Sequence, residues 1–316
     1  MIETHVSRDQ LAPPTASPAD HPEPPLPRRR GRQNRLLWLT APSMVWYLVF
    51  TIGPLAGMFV IAFLDWKGLI YTPSFAGLDN FARVFSDPTF YDALRNSAVQ
   101  VAVAIPVMLP LAFMLGYFLN SKPRGHRVLS VLFFTPGLIS ISIKATMFYG
   151  VFSPTGGLNG LLDVIGLDSA TTAWLANPAT ALGAIIFVDL WSGIGWTAVL
   201  FASRLASVPT EILEAADLDG AGRVRKMWQI AFPMIKDYFA TLTMLQFLWT
   251  LFTSAALILL LTSGGPGTST TTLSYLVYAK AFSQQDLGYS QAVGIILLVV
   301  GVLGMVLIRR LLRTKI

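Results

Sequence analysis

Six runs of mostly apolar residues, 38–64, 97–119, 128–152, 179–202, 239–262 and 289–308, set the limits on what this chain can fold into. Each is long enough to cross about 30 Å of hydrocarbon as a helix, which takes about 20 residues. Lipid offers no partner to a free backbone N–H or C=O, so the runs predict helices rather than isolated strands. Charged residues make up only 13% of the sequence, against about 25% in a soluble domain. The expected fold class is an all-α polytopic membrane protein with six transmembrane helices. Pro54, Pro106, Pro110 and Pro136 fall inside the runs and are expected to kink or open those helices.

Basic residues fix the orientation. On one side lie Arg8, Arg28, Arg29, Arg30, Arg32 and Arg35 before the first run, then Lys122, Arg124 and Arg127 between runs two and three. The same side takes Arg204, Arg223, Arg225, Lys226 and Lys236 between runs four and five, and Arg309, Arg310, Arg313 and Lys315 in the tail. The other side holds only Lys67, Arg83, Arg95 and Lys280, with Lys144 inside a run. Both termini are therefore expected in the cytoplasm. The net charge of +6 follows from this topology and gives no reason to expect a nucleic-acid partner.

Residues 1–35 read as a disordered, Pro-rich, basic cytoplasmic tail, because they hold too few apolar residues to offset the entropy of ordering. Its arginines, Arg28 to Arg35, suit a topology anchor; a lipid- or nucleic-acid-binding patch is the alternative. The first run is too long for a signal-peptide core and lacks a small-residue cleavage site, so it is expected to be retained. The absence of cysteine removes disulfides, thiolate-held zinc and thiol catalysis. His5, His21 and His126 have no metal-ligand spacing, and no nucleophile–base set is visible. Outside the membrane, 75–81 and 87–90 alternate turn formers with aromatics as short interfacial helices do. Gly264-Gly265-Pro266-Gly267 predicts a tight turn.

The most charge-rich stretch between apolar runs is 203–238. Pro209 opens a helix there, with Glu211 and Glu214 near the positive end of its dipole. Ile212, Ala215, Ala216 and Leu218 give it an apolar, partly small-residue surface. Gly220 permits a turn or a close backbone approach. A second helix is expected from Arg223 to about Ile230, ending before Pro233. Two short helices meeting at a glycine make a compact knob suited to a groove on a partner. The alternative is an amphipathic loop lying on lipid, which the acids Glu211, Glu214, Asp217 and Asp219 oppose.

Glu214-Ala215-Ala216, then Asp219-Gly220-Ala221, then Ile230 and Pro233 resemble the EAA loop of permease subunits of binding-protein-dependent ABC importers. Met227 stands where an aromatic is common, Phe232 where Leu is usual, and Asp237 where a second Pro is frequent. The stretch Leu261-Thr262-Ser263-Gly264-Gly265-Pro266 is similar to the carbohydrate-uptake subgroup, as are Thr272-Leu273, Tyr278, Ala281-Phe282 and Gly288-Tyr289. So are 75–81, Asp87-Pro88, Asn96 and Gly156-Gly157-Leu158-Asn159. The resemblance covers the chain from about residue 36 onward. It implies a permease domain at 36–316 with its coupling loop at 203–238, in a bacterial inner membrane. The implied partners are a second related permease, a cytoplasmic ATPase dimer, an extracytoplasmic solute-binding protein and membrane lipid. The implied solute is a di- or oligosaccharide or a glycerol phosphate. Glu214, Ala215, Ala216, Asp219, Gly220, Ala221, Ile230 and Pro233 would then dock on the ATPase. No G-x-x-x-x-G-K-[ST] sequence occurs, so ATP and Mg are expected on that partner. No cofactor, metal or catalytic residue is expected in this chain, which is a transport subunit and not an enzyme.

Lys144 and Asp189 are the ionisable residues deepest in the predicted spans, and such charges face a cavity or a partner. Their estimated depths, roughly 12 and 15 Å from the outer surface at 1.5 Å rise per residue, predict an ion pair between spans three and four. The pair would serve helix packing or contact a solute. Trp191, Trp196, Gln246, Trp249, Thr250, Thr253 and Ser254 could supply ring faces and polar groups to a sugar, or could simply pack. A secondary transporter coupled through Lys144 and Asp189 is one rival reading; an importer for a polyamine or another non-sugar solute is a second.

Overall fold

The computed structural model describes residues 40–68 and 70–312. The tail 1–35 with its arginine cluster, the start of the first run before Thr40, and Arg313 and Lys315 lie outside the described residues. The described residues divide into two units, one ending at Gly53 and the other beginning at Pro54. The first apolar run is helix α1, Thr40–Ala62. It contains a π turn at Leu48–Ile52, where the N–H of Gly53 reaches back to the carbonyl of Leu48. Pro54 follows at once, and a residue that cannot donate favours such a loosened turn before it.

In the larger unit α1 ends in a small antiparallel hairpin, β1 (Leu64–Asp65) and β2 (Ser74–Phe75), with Leu64 opposite Phe75. Helix α2, Asp79–Ser86, follows. Asn80, 1% exposed, donates to the carbonyls of Ala62 at 2.9 Å and Leu64 at 2.8 Å. It thereby satisfies acceptors that the end of α1 leaves open. Helix α3, Pro88–Asn120, begins well before the apolar run at 97–119. Asp87 caps it, accepting from the N–H of Thr89 at 2.8 Å, with Pro88 in the first turn. The early turns are polar but packed. Asn96 donates to the carbonyls of Thr268 and Thr271, and the Thr268 hydroxyl donates to Asp92 at 2.6 Å.

The third apolar run is not one helix. It forms α4, His126–Leu138, and α5, Ile141–Phe152; α6, Gly157–Val164, comes next. The chain bends by 96° between Leu138 and Ile141. Pro136 and Gly137 weaken the last turn of α4. Ile139 and Ser140 are then extended, and the Ser140 hydroxyl starts α5 by accepting from the N–H of Ile143. The remaining long helices are α7 (Ala181–Leu205), α10 (Lys236–Leu261) and α12 (Leu287–Leu312). Among the described residues, five helices are thus long and apolar enough to cross a membrane, and the bent pair would make a sixth if it is one span. Of the six expected runs, the third is bent into two helices rather than one.

α3 and α7 run side by side in the same direction, since Gly116 of α3 lies on Ala198 and Phe201 while Met108 lies on Gly193. α4 crosses α7 at Gly195, where a β-carbon would stand 1.6 Å from the carbonyl oxygen of Phe133. Only a glycine allows that approach. Phe113, Phe201 and Leu205 anchor a core at one end of this pair. A second core gathers Phe90, Leu251 and Tyr289 where α3, α10 and α12 meet.

At the end of the bundle where α3 begins, charges join three elements. Arg83 pairs with Asp286, and the Tyr289 hydroxyl donates to Asp87 at 2.8 Å. Lys280 lies 3.6 Å from Asp87 and 4.4 Å above the ring of Tyr289. Burial raises the Asp87 carboxyl, but the Tyr289 and Thr89 hydrogen bonds and the Lys280 charge outweigh it and hold it below its ordinary value of 3.8. A carboxyl depressed in the folded state stabilises that state above 3.8, and the effect fades as pH falls through the lower folded value. Wild type is therefore expected to unfold at a higher temperature than Asp87→Asn at neutral pH. The gap should close below about pH 4 in detergent-phase melting curves; an unchanged gap there would rule out this ionic role.

Candidate functional site

The polar stretch 203–238 folds as the sequence suggests in outline, and its wiring is more definite. α7 ends at Leu205, and Pro209, extended at ψ 128°, leads into helix α8, Thr210–Leu218. Glu211 sits in the first turn of α8, where the helix dipole favours a negative charge. α8 stops at Gly220, whose φ of +73° lies in the left-handed region. The N–H of Ala221 donates to the carbonyl of Ala216 and that of Gly220 to Asp217, the paired bonds of a Schellman turn. Gly222 then starts helix α9, Arg223–Lys226.

The second helix does not end before Pro233. It continues through a π turn, Met227–Ala231, and a short turn, Phe232–Met234. Pro233 occupies the first turn of that last piece, where a missing N–H costs nothing. Met227, Ala231 and Ile235 are 7%, 1% and 2% exposed and join Phe113 and Phe201 in the core at this end of the bundle. Met227 thus does the packing expected of an aromatic at its position. Phe232 stacks edge-on against Phe113 at 5.6 Å and Phe239 at 5.2 Å. α10 begins one residue after Ile235, so the loop's second half is rooted in the helix that follows it.

The motif residues separate by burial. Glu214, Ala215, Asp219, Gly220 and Pro233 are exposed, Ala221 and Ile230 half-buried, and Ala216 buried. The tip carries exposed apolar side chains, Leu218 at 91% and Val224 at 69%. Leu218 was part of the surface expected from sequence. Val224 was not, because a valine between two arginines reads as a solvated face.

The intramembrane candidates are distributed. Asp189 accepts a hydrogen bond from Gln100 of α3 at 2.8 Å. The expected Lys144–Asp189 ion pair is absent: no nitrogen–oxygen contact within 4.0 Å joins them, and Lys144 acts on Asp189 only through longer-range charge. The Asp189 carboxylate is instead met by the Gln100 amide of α3, which equal depth on spans three and four could not reveal. Gln100 was overlooked because an uncharged amide inside an apolar run gives no signal in sequence. Trp191 packs edge-on against Phe148 at 5.1 Å, and Trp196 stacks on Phe134 at 5.1 Å. Gln246 donates to Thr250 on its own helix at 3.2 Å. Ser254 bonds the hydroxyls of Thr272 and Ser274. Trp249, 66% exposed, and Thr253 line an open, apolar groove of about 440 Å³ between α10 and α12 with Phe252, Val302 and Met305.

The family described as "Binding-protein-dependent transport system inner membrane component" matches residues 82–315. A diacetylchitobiose uptake system permease protein, NgcF, from Streptomyces coelicolor is 35% identical over 296 residues, covering 86% of this chain and 84% of that protein. A probable ABC transporter permease protein, YurN, from Bacillus subtilis is 32% identical over 275 residues, with 85% and 93% covered. A multiple sugar-binding transport system permease protein, MsmF, from Streptococcus mutans is 31% identical, with 83% and 89% covered. A chain of the bacterial ABC transporter that imports the acidic polysaccharide alginate superposes with a TM-score of 0.77, covering 90% of this chain and 98% of its own. Its 24% identity makes that a likeness of fold.

Proposed function

This chain belongs to the family of binding-protein-dependent transport system inner membrane components, and from that premise we propose that it forms half of an ATP-driven pathway for a di- or oligosaccharide. In this reading a second permease completes the pathway, a solute-binding protein delivers the sugar from outside, and an ATPase dimer docks on the cytoplasmic loop. The observation that carries the reading is the projection formed by α8, Gly220 and α9. Its apolar tip, Leu218 and Val224, is exposed, and its base is continuous with the core and with α10. A load applied to the tip therefore reaches a membrane-crossing helix through buried contacts.

Sugar as the solute is supported by relatives whose names specify diacetylchitobiose and multiple sugars. Trp249, on the apolar groove beside α12, offers a ring face to such a solute, while the Thr253 hydroxyl there donates to the carbonyl of Trp249 at 2.7 Å. Lys144, Asp189, Trp191 and Gln246 are secondary candidates for the polar pathway. Asp189 reaches it through the contact with Gln100. The test is uptake into vesicles holding the complete complex: it should require internal ATP and persist when ion gradients are collapsed. Uptake that follows an ion gradient without ATP would replace this reading with the ion-coupled transporter.

A further inference from the structure

We propose that the ion pair between Asp217 and Lys226 is a mechanical lock that makes the two helices of the loop move as one body. The inference rests on the reading of this loop as the ATPase dock. α8 is tied to the membrane domain by little. Its buried residue is Ala216, and Leu213 touches the edge of the core beneath it. α9 is the opposite case, running directly into buried Met227 and Ala231. Between them stands a turn at Gly220, a residue whose backbone is soft because it has no β-carbon.

Asp217 sits in the last turn of α8 and Lys226 ends α9, so their contact spans the joint. The lysine side chain is only 14% exposed and the aspartate 59%. The ammonium therefore belongs to the sheltered base, and the carboxylate travels with the docking helix. Leu218 of α8 and Val224 of α9, one on each side of the joint in sequence, are both exposed. The tip keeps one shape, and passes displacement to α10, only while the angle between the helices is fixed.

The different exposure of the two partners separates a lock from a pair that merely stabilises. Removing Asp217 strands a sheltered ammonium, whereas removing Lys226 frees an exposed carboxylate that water solvates. A merely stabilising pair therefore predicts damage from Asp217→Asn and tolerance of Lys226→Met. A lock is broken equally by either and restored by the swap Asp217→Lys/Lys226→Asp.

The chain has no cysteine, so Glu211→Cys on α8 and Thr241→Cys on α10 are its only labelling sites, and the partners are used with their cysteines replaced. The experiment measures the distance distribution between spin labels at the two sites in the purified complex, with ATP and with ADP–vanadate, alongside the amount of ATPase retained. Wild type should give a narrow distribution in both states. Asp217→Asn and Lys226→Met should each broaden it about twofold, and the swap should restore it. If Asp217→Asn is too unstable to purify, Lys226→Met and the swap decide the question alone. A wild-type width in Lys226→Met, or a swap as broad as the singles, would overturn the lock. Wild type purifying without any ATPase would overturn the dock itself, an outcome distinct from an ATPase present with unaltered widths.

Discussion

Gly220→Pro strips the ATPase from the complex by at least about tenfold, equivalent to about 1.4 kcal/mol of docking free energy, while the chain stays in the membrane with its second permease. The expectation follows from the turn itself. Gly220 sits at φ +73°, and proline is held near −65°. Proline also deletes the N–H that donates to the carbonyl of Asp217. Both defects fall on the joint that aims α8, and neither touches the cores that hold the membrane helices. Gly220→Ala is the graded companion. No atom lies within 4 Å of the added β-carbon, so its cost is conformational only, about 1–2 kcal/mol for a left-handed L-residue. Retention of ATPase should therefore fall in the order Gly, Ala, Pro when the tagged chain is purified from native membranes. Full retention in Gly220→Pro would mean that the dock lies elsewhere.

Gly195→Ala should prevent a folded protein from accumulating. The new β-carbon would meet the carbonyl oxygen of Phe133 at 1.6 Å and its carbonyl carbon at 2.5 Å. An overpacked side chain can rotate away, at about 1–3 kcal/mol; a backbone carbonyl in α4 cannot. The two helices must separate, and with them the stacking of Trp196 on Phe134. Gly183→Ala in the same helix is the control, since nothing lies within 4 Å of its β-carbon. Size-exclusion profiles in mild detergent should show a monodisperse peak for Gly183→Ala and loss of most of it for Gly195→Ala. Equal peaks would contradict the close crossing of α4 and α7.

How far the fold could be read from sequence depends on which force set each element. The apolar runs behind α1, α7, α10 and α12 were legible because the number of residues needed to cross lipid is fixed by its thickness. The early start of α3 was not. Asp92 and Asn96 end the hydropathy signal, yet tertiary hydrogen bonds to Thr268 and Thr271 carry the helix on. Pro136 announced a disturbance in the third run without its size, because Ile139 and Ser140 turn the chain and neither advertises it. The Lys144–Asp189 pairing failed for another reason: depth alone cannot say which neighbour a carboxylate takes, and Gln100 of α3 bonds Asp189.

The loop was the most legible part of the candidate site. Gly220 and the acids at Glu211 and Glu214 carry their reasons in local chemistry, and the structure folds them into the expected helix and turn. The division of the motif into buried and exposed residues was hidden. It depends on which face of the π turn Met227–Ala231 meets Phe113 and Phe201, residues more than twenty positions or a full span away. The Asp217–Lys226 contact was hidden for a related reason, since it exists only once Gly220 has folded the two helices together.

The most direct test of the account is ATP-driven uptake by the intact complex in proteoliposomes. Radiolabelled chito-oligosaccharides and malto-oligosaccharides serve as probes, and the co-purified binding protein is supplied outside. Accumulation of at least one oligosaccharide should need ATP in the lumen, survive ionophores and be abolished by Gly220→Pro. Accumulation that ignores ATP and Gly220→Pro but collapses with the ion gradient would contradict the account.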